Sequence, residues 1–111
     1  MSRLRDRKCA ACAPGTAPLA SDRMAALAAQ LAPGWRVADD GKSLRRSFGF
    51  ANFHETMAFV NAIAWIANAE DHHPDLEVGY DYCRVTFATH SIGGLSENDF
   101  ICAAKVDALQ T

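Results

Sequence analysis

The segment 52–70, NFHETMAFVNAIAWIANAE, restricts the fold more than any other part of this chain. It contains neither proline nor glycine, and Phe53, Met57, Val60, Ala64 and Ala67 recur at helical spacing. Phe59, Ile63 and Ile66 widen that stripe. Asn52 stands where an N-cap belongs. A helix this apolar has to be covered on more than one side. Trp65 reads as core rather than pocket, and His54, which flanks the stripe, as solvent-facing.

Hairpin signals flank this helix on both sides. Residues 35–50 read as Trp35 to Ala38, a turn at Asp40-Gly41, and a strand from Ser43 to Phe50. Leu44, Phe48 and Phe50 share a face by period-two alternation, with Arg46 as the exception. The stretches LEVGY and CRVTFATH form the second pair, turning near Asp81. There Cys83, Val85 and Phe87 point one way, and Tyr82, Arg84, Thr86 and Ala88 the other.

Ser21 is a plausible cap for a first helix bearing Met24, Leu27, Ala28 and Leu31, ended by Ala32 to Gly34. Ser96 opens a last helix with Asp99 three residues on, a capping-box spacing with Asp for Glu. Phe100, Ile101, Ala104 and Ala108 supply its buried face. The order α-β-β-α-β-β-α predicts an α+β domain, a four-stranded antiparallel sheet with three helices on one face.

A chain of 111 residues fits one such domain. Residues 1–20 are Ala/Pro/Gly/Thr-rich without periodicity and read as a flexible N-terminal arm, which leaves 21–111 as the domain. The formal net charge of -2 argues against nucleic acid or an anionic membrane as partner. No run approaches the roughly 18 apolar residues of a membrane span. The N-terminus starts basic but has no continuous apolar stretch, so no secretory signal is read and a cytoplasmic location is expected.

Cys9 and Cys12 form a C-x-x-C. It reads as half a zinc site, as a redox pair, or as two free thiols on the arm. A thioredoxin-type motif follows a strand and opens a helix, and this one does neither. A zinc site needs two further ligands, and no second C-x-x-C exists. Free thiols are the expectation.

Three of the four histidines, His72, His73 and His90, fall between residues 70 and 90. His72 and His73 are adjacent, which lets them converge only in a loop, and Pro74 biases His73 towards extended backbone. His90 ends its strand with the parity of Tyr82, Arg84 and Thr86, off the apolar face. Metal ligands, unrelated surface residues and a proton-transfer set all fit these facts. A helical H-x-x-x-H is lacking. Imidazole is the side chain whose unperturbed pKa lies near neutrality, so convergent histidines can give and take protons.

His72-His73-Pro74, Tyr80, His90 and Asp99, with THSIGGLSENDF around the last two, together make a spaced pattern more specific than any single histidine. Over roughly residues 20–110 the chain resembles the pterin-4a-carbinolamine dehydratase family in its bacterial form. The position four before His72, usually charged or histidine in that family, is Asn68 here.

The resemblance implies removal of water from a 4a-hydroxytetrahydropterin to give quinonoid dihydropterin. That reaction recycles the pterin of aromatic amino-acid hydroxylases and needs neither metal nor cofactor. By carry-over the catalytic residues are His72, His73 and His90. His72 and His90 transfer protons, in an order left open, and His73 orients the pterin. Substrate binding falls to His73, Pro74, Thr89, His90, Ser91 and Asp99, with backbone of Ala88–Ser91 holding the flat pterin edge. Asp99 is a helix cap, a carboxylate near the pterin, or both. The resemblance also implies a homo-oligomer, dimer or tetramer, and a functional link to a hydroxylase. Two rivals remain: a non-catalytic partner-binding or dimerisation scaffold of the same fold, and a zinc-dependent domain using Cys9, Cys12 and histidines.

Overall fold

Period-two alternation in the two hairpins builds the sheet. In a computed structural model describing residues 3–110, β1 (Arg36–Val37) pairs with β2 (Leu44–Gly49), and β3 (Asp75–Val78) with β4 (Tyr82–Phe87). Met1 and Ser2 of the expected arm and Thr111 of the expected domain lie outside the described residues. The four strands run in the order β1-β2-β4-β3, antiparallel throughout. The β2–β4 register sets Leu44 opposite Phe87 and Phe48 opposite Cys83. Leu44, Phe48, Cys83, Val85 and Phe87 are buried, and α1 (Ser21–Ala28), α2 (Phe53–Glu70) and α3 (Glu97–Asp107) cover that face. The observed element order is the expected one.

Arg46 breaks the apolar alternation of β2 for an electrostatic reason. Its guanidinium lies 2.6 Å from Asp107 Oδ1 at the end of α3 and 4.4 Å above the Phe48 ring centroid. Asp107 also accepts from Trp35 Nε1 at 2.8 Å and from the Ala32 amide at 3.0 Å. One carboxylate thus ties the sheet, the turn after α1 and α3 together.

α2 starts at its expected cap, where Asn52 accepts from the Glu55 amide at 2.9 Å. Its buried stripe is narrower than expected, comprising Thr56, Phe59, Ile63 and Ala67. Trp65 is not in the core; it is 73% exposed. Two residues beyond Ile63 along an α-helix is a turn of about 200°, which aims Trp65 away from the sheet. Phe53, expected in the stripe, is also exposed. Ser21 is the first residue of α1 and not its cap; Ala20 occupies the cap without a side-chain bond.

α3 is nearly enclosed, with every residue from Asn98 to Ala104 buried. Sheet, α1 and α2 leave one side of it open, and the N-terminal segment covers that side. A 3-10 turn at Leu4–Asp6 packs there, with Leu4 4% exposed. Lys105 Nζ donates to the Arg5 carbonyl at 2.8 Å, Arg7 pairs with Glu97 at 2.8 Å, and the Leu19 amide donates to the Leu95 carbonyl at 2.9 Å. Within the segment read from composition as a flexible arm, Leu4, Cys9 and Leu19 pack against the core, while residues 13–18 are exposed.

Asp107→Ala removes three hydrogen bonds and leaves Arg46 without its counter-charge in a mostly buried setting. We expect a loss of about 2–3 kcal/mol, read as a lower urea midpoint, with Asp107→Asn losing less.

Candidate active site

The end of α2 aims His72. Asp71 takes a left-handed conformation (φ 52°, ψ 43°), which stops the helix while the His72 amide still bonds back to the Ala67 carbonyl at 3.2 Å. Pro74 cannot continue a helix, so the chain leaves directly into β3. The His72 ring lies parallel to the Phe87 ring, 6.1 Å away and inclined by 10°. Its Nε2 is 2.6 Å from Asp99 Oδ1.

Asp99 sits in the first turn of α3 and is fully buried. Its Oδ2 accepts from the Ser96 amide at 2.9 Å and from Thr89 Oγ1 at 2.7 Å. Thr89 Oγ1 and Ser96 Oγ are 2.8 Å apart. The single Thr89 hydroxyl proton goes to Asp99, so Ser96 donates in that contact. Asp99 is thus both the helix cap and the partner of His72. A carboxylate has no proton to offer, so His72 Nε2 carries one. Nδ1 makes no hydrogen bond among the described residues and is the nitrogen left to exchange a proton.

His72, Thr89 and Ser91 line a cavity of about 350 Å³. His90 opens a 3-10 turn at His90–Ile92 and lines a neighbouring cleft of about 330 Å³ with Asp75, Thr86 and Ala88. Thr89 borders both. His73 is exposed and lines neither, and Pro74 is half-buried. The fold therefore gathers His72, Thr89, Ser91 and Asp99 in one place, and within one chain it sets His90 across the Thr89 ridge and His73 outside. His54 is exposed.

The remaining wall of the His72 cavity is Cys9 to Cys12, with Glu70, Asp71 and Asn98. Sequence reasoning missed these as site residues; the C-x-x-C was the only signal, and its place over the cavity depends on tertiary packing. Glu70 Oε1 accepts from the Cys9 amide at 2.8 Å, and the Asn98 side chain bonds both ways to the Ala10 backbone, at 3.0 and 2.6 Å. Among the described residues no three His, Cys, Asp or Glu side chains are grouped as metal ligands.

Burial by itself disfavours the His72 imidazolium. The Asp99 hydrogen bond and charge outweigh it, with help from Cys9 and Asp71, and His72 titrates above its ordinary value of 6.5. A folded pKa raised above the unfolded one means stabilisation that is complete below about pH 6.5 and lost as pH rises through the folded value. We expect the His72 ring protons to titrate above 6.5 by NMR and the midpoint to fall in Asp99→Asn. A midpoint indifferent to Asp99→Asn would rule out the pairing as its cause.

The family described as pterin 4 alpha carbinolamine dehydratase matches residues 17–109. A Nitrosomonas europaea protein named "Putative pterin-4-alpha-carbinolamine dehydratase" is 58% identical over 106 residues, covering 96% of this chain and 92% of the relative. A similarly named Legionella pneumophila protein (strain Corby) is 56% identical over 108 residues, 97% of this chain and 96% of the relative. Among solved structures, a transcriptional coactivator/pterin dehydratase from Brucella melitensis superposes with a TM-score of 0.79 at 33% identity, over 85% of this chain and 99% of that one. A pterin dehydratase-like protein described as a RuBisCO assembly factor in the alpha-carboxysome gives 0.60 at 28% identity, over 68% and 88%. With its fold, its spaced histidines and these relatives in agreement, the chain belongs to the pterin-4a-carbinolamine dehydratase family.

Proposed function

We propose that this protein dehydrates 4a-hydroxytetrahydropterins to quinonoid dihydropterins, recycling the cofactor of aromatic amino-acid hydroxylases. One observation carries the reading: His72 lines a cavity and is anchored through Nε2 to the buried Asp99, with no hydrogen bond to Nδ1 among the described residues. The reaction breaks the C4a–OH bond, removes the N5 proton and forms a C=N bond, with no net proton consumed. The acid is His72, because its raised pKa keeps more imidazolium present near neutrality. Nδ1–H protonates the leaving hydroxyl, and Asp99 holds the ring in place while the charge changes. His90, on the other side of the Thr89 ridge, takes the N5 proton from a bicyclic substrate laid across Ala88–Ser91. His73 orients the pterin from the rim beside Pro74, and Ser91 borders the substrate.

Exposed Trp65 and Phe53 on α2 support a homo-oligomer, dimer or tetramer, since apolar side chains of this size gain by being covered. The cytoplasm and a hydroxylase partner complete the proposal. A second reading, a partner-binding scaffold, is favoured by the same Trp65 and by the coactivator and assembly-factor descriptions of the two structural neighbours.

The test follows 4a-hydroxytetrahydropterin decay by ultraviolet absorbance, with and without the protein and after exhaustive EDTA dialysis. We expect metal-independent acceleration. His72→Ala and His90→Ala should each lower the rate about 10²- to 10⁴-fold. Their double mutant should lose less than the product of the single losses, because the two act as one unit. The rate should fall as pH rises through the His72 pKa, and Asp99→Asn should move that fall to lower pH. Full rate in both single mutants would sink the assignment, and a folded wild type without activity would leave the scaffold reading.

A further inference from the structure

The structure pairs the first cysteine of the C-x-x-C with a residue far away in sequence. Cys9 Sγ lies 3.5 Å from Cys102 Sγ, across a separation of 93 residues. Cys12, the partner that a C-x-x-C redox pair would use, turns elsewhere: its Sγ lies 3.9 Å from the Ala10 carbonyl oxygen and 3.6 Å from Asn98 Nδ2. Cys102 is fully buried in α3, whereas Cys9 is half-buried and lines the His72 cavity, so a small reagent reaches Cys9 first.

We propose that Cys9 and Cys102 form a reversible thiol–disulfide site, oxidised by low-molecular-weight disulfides of the glutathione type, which fastens the N-terminal segment to α3. The C-x-x-C is then not the redox pair; Cys9 alone belongs to it. The proposal is independent of the dehydratase reading.

The chemistry runs in two exchanges. The Cys9 thiolate attacks one sulfur of the small disulfide, forming a mixed disulfide and expelling one small thiolate, which takes a proton. Cys102 then attacks Cys9 Sγ, breaking the mixed disulfide; its own proton leaves with the second small thiol. Two protein thiols and one small disulfide become one protein disulfide and two small thiols, with two electrons passing to the reagent.

The surroundings favour this order. The Cys102 hydrogen bond lowers the Cys9 pKa against the opposing effect of burial, and the His72 charge lowers it further. Cys102 is pushed far up, first by Cys9 itself and then by burial. Once Cys9 is in a mixed disulfide, its hydrogen bond and charge no longer hold the proton on Cys102, and burial is the largest effect left opposing ionisation. Closing 3.5 Å to a bond of about 2.05 Å asks the sulfurs to approach by roughly 1.5 Å, and Cys9 lies on an irregular segment outside any helix or strand. In a reducing compartment the resting form is the dithiol.

The test incubates the whole protein with oxidised glutathione, counts thiols under denaturing conditions and maps a non-reduced digest by mass spectrometry. Of the four thiols, two should remain, Cys12 and Cys83, with a peptide containing Cys9 joined to one containing Cys102. Cys12→Ser should form the same link. Cys9→Ser, a change at a half-buried position that leaves α3 intact, should keep Cys102 reduced. Hydrogen exchange at residues 9–12 should slow on oxidation and recover with dithiothreitol. A Cys9–Cys12 link, a mixed disulfide that persists on Cys9, loss of the link in Cys12→Ser, unchanged exchange, or four thiols surviving would each overturn the proposal.

Discussion

A carboxylate with no exposed surface survives in a protein only if its oxygens are answered by donors. Asp99 is that group here, and its donors come from three places: His72 after α2, Thr89 after β4, and the Ser96 amide at the start of α3. Each donor fixes one connection of the fold. Removing the carboxylate would free the loop carrying His72, leave the Thr89 and Ser96 hydroxyls to rearrange, and uncap the central helix. The chemistry proposed for His72 and the placement of α3 thus rest on one anion.

Asp107 has a comparable role at the other end of α3. It collects Arg46, Trp35 and the Ala32 amide. The helix is therefore held at both ends by acidic residues that reach across to other elements, while its middle is packed by apolar contacts. A helix held in this way can be enclosed on all sides although its sequence, ENDFICAAKVD, is not uniformly apolar. Its last uncovered side recruits the N-terminal segment, and this places Cys9 against Cys102 and over the His72 cavity. A packing demand on one helix thus brings a reactive thiol beside a candidate proton-transfer site.

The surface divides by role as well. The sheet face opposite the helices carries Arg45, Arg84 and Glu77, whose ion pairs at 3.6 and 3.3 Å are exposed and add little stability. The exposed side of α2 carries the large apolar side chains Trp65 and Phe53. These two surfaces invite different partners, and an oligomer or a foreign protein would gain most from the second.

Local periodicity determined the element order, the two hairpins, the Asn52 cap and the buried parity of Cys83, Val85 and Phe87, because alternation and capping are short-range rules. Capping-box spacing gave Asp99 as a helix cap, while it was the family resemblance, not spacing alone, that singled out His72 and put Asp99 near the substrate. Where spacing went astray, distant partners decided. Arg46 looked like an exception until Asp107 met it. Trp65 looked like core because a helical stripe cannot tell which side a sheet will take. His72 and His90 fall into separate clefts because Thr89 stands between them, a matter of how two loops meet. Residues 1–20 carry no periodic signal, so the packing of Leu4, Cys9 and Leu19 followed only from the surface α3 left open. Composition measures what a segment can bury by itself; only the tertiary structure supplies the partner that makes burial worthwhile.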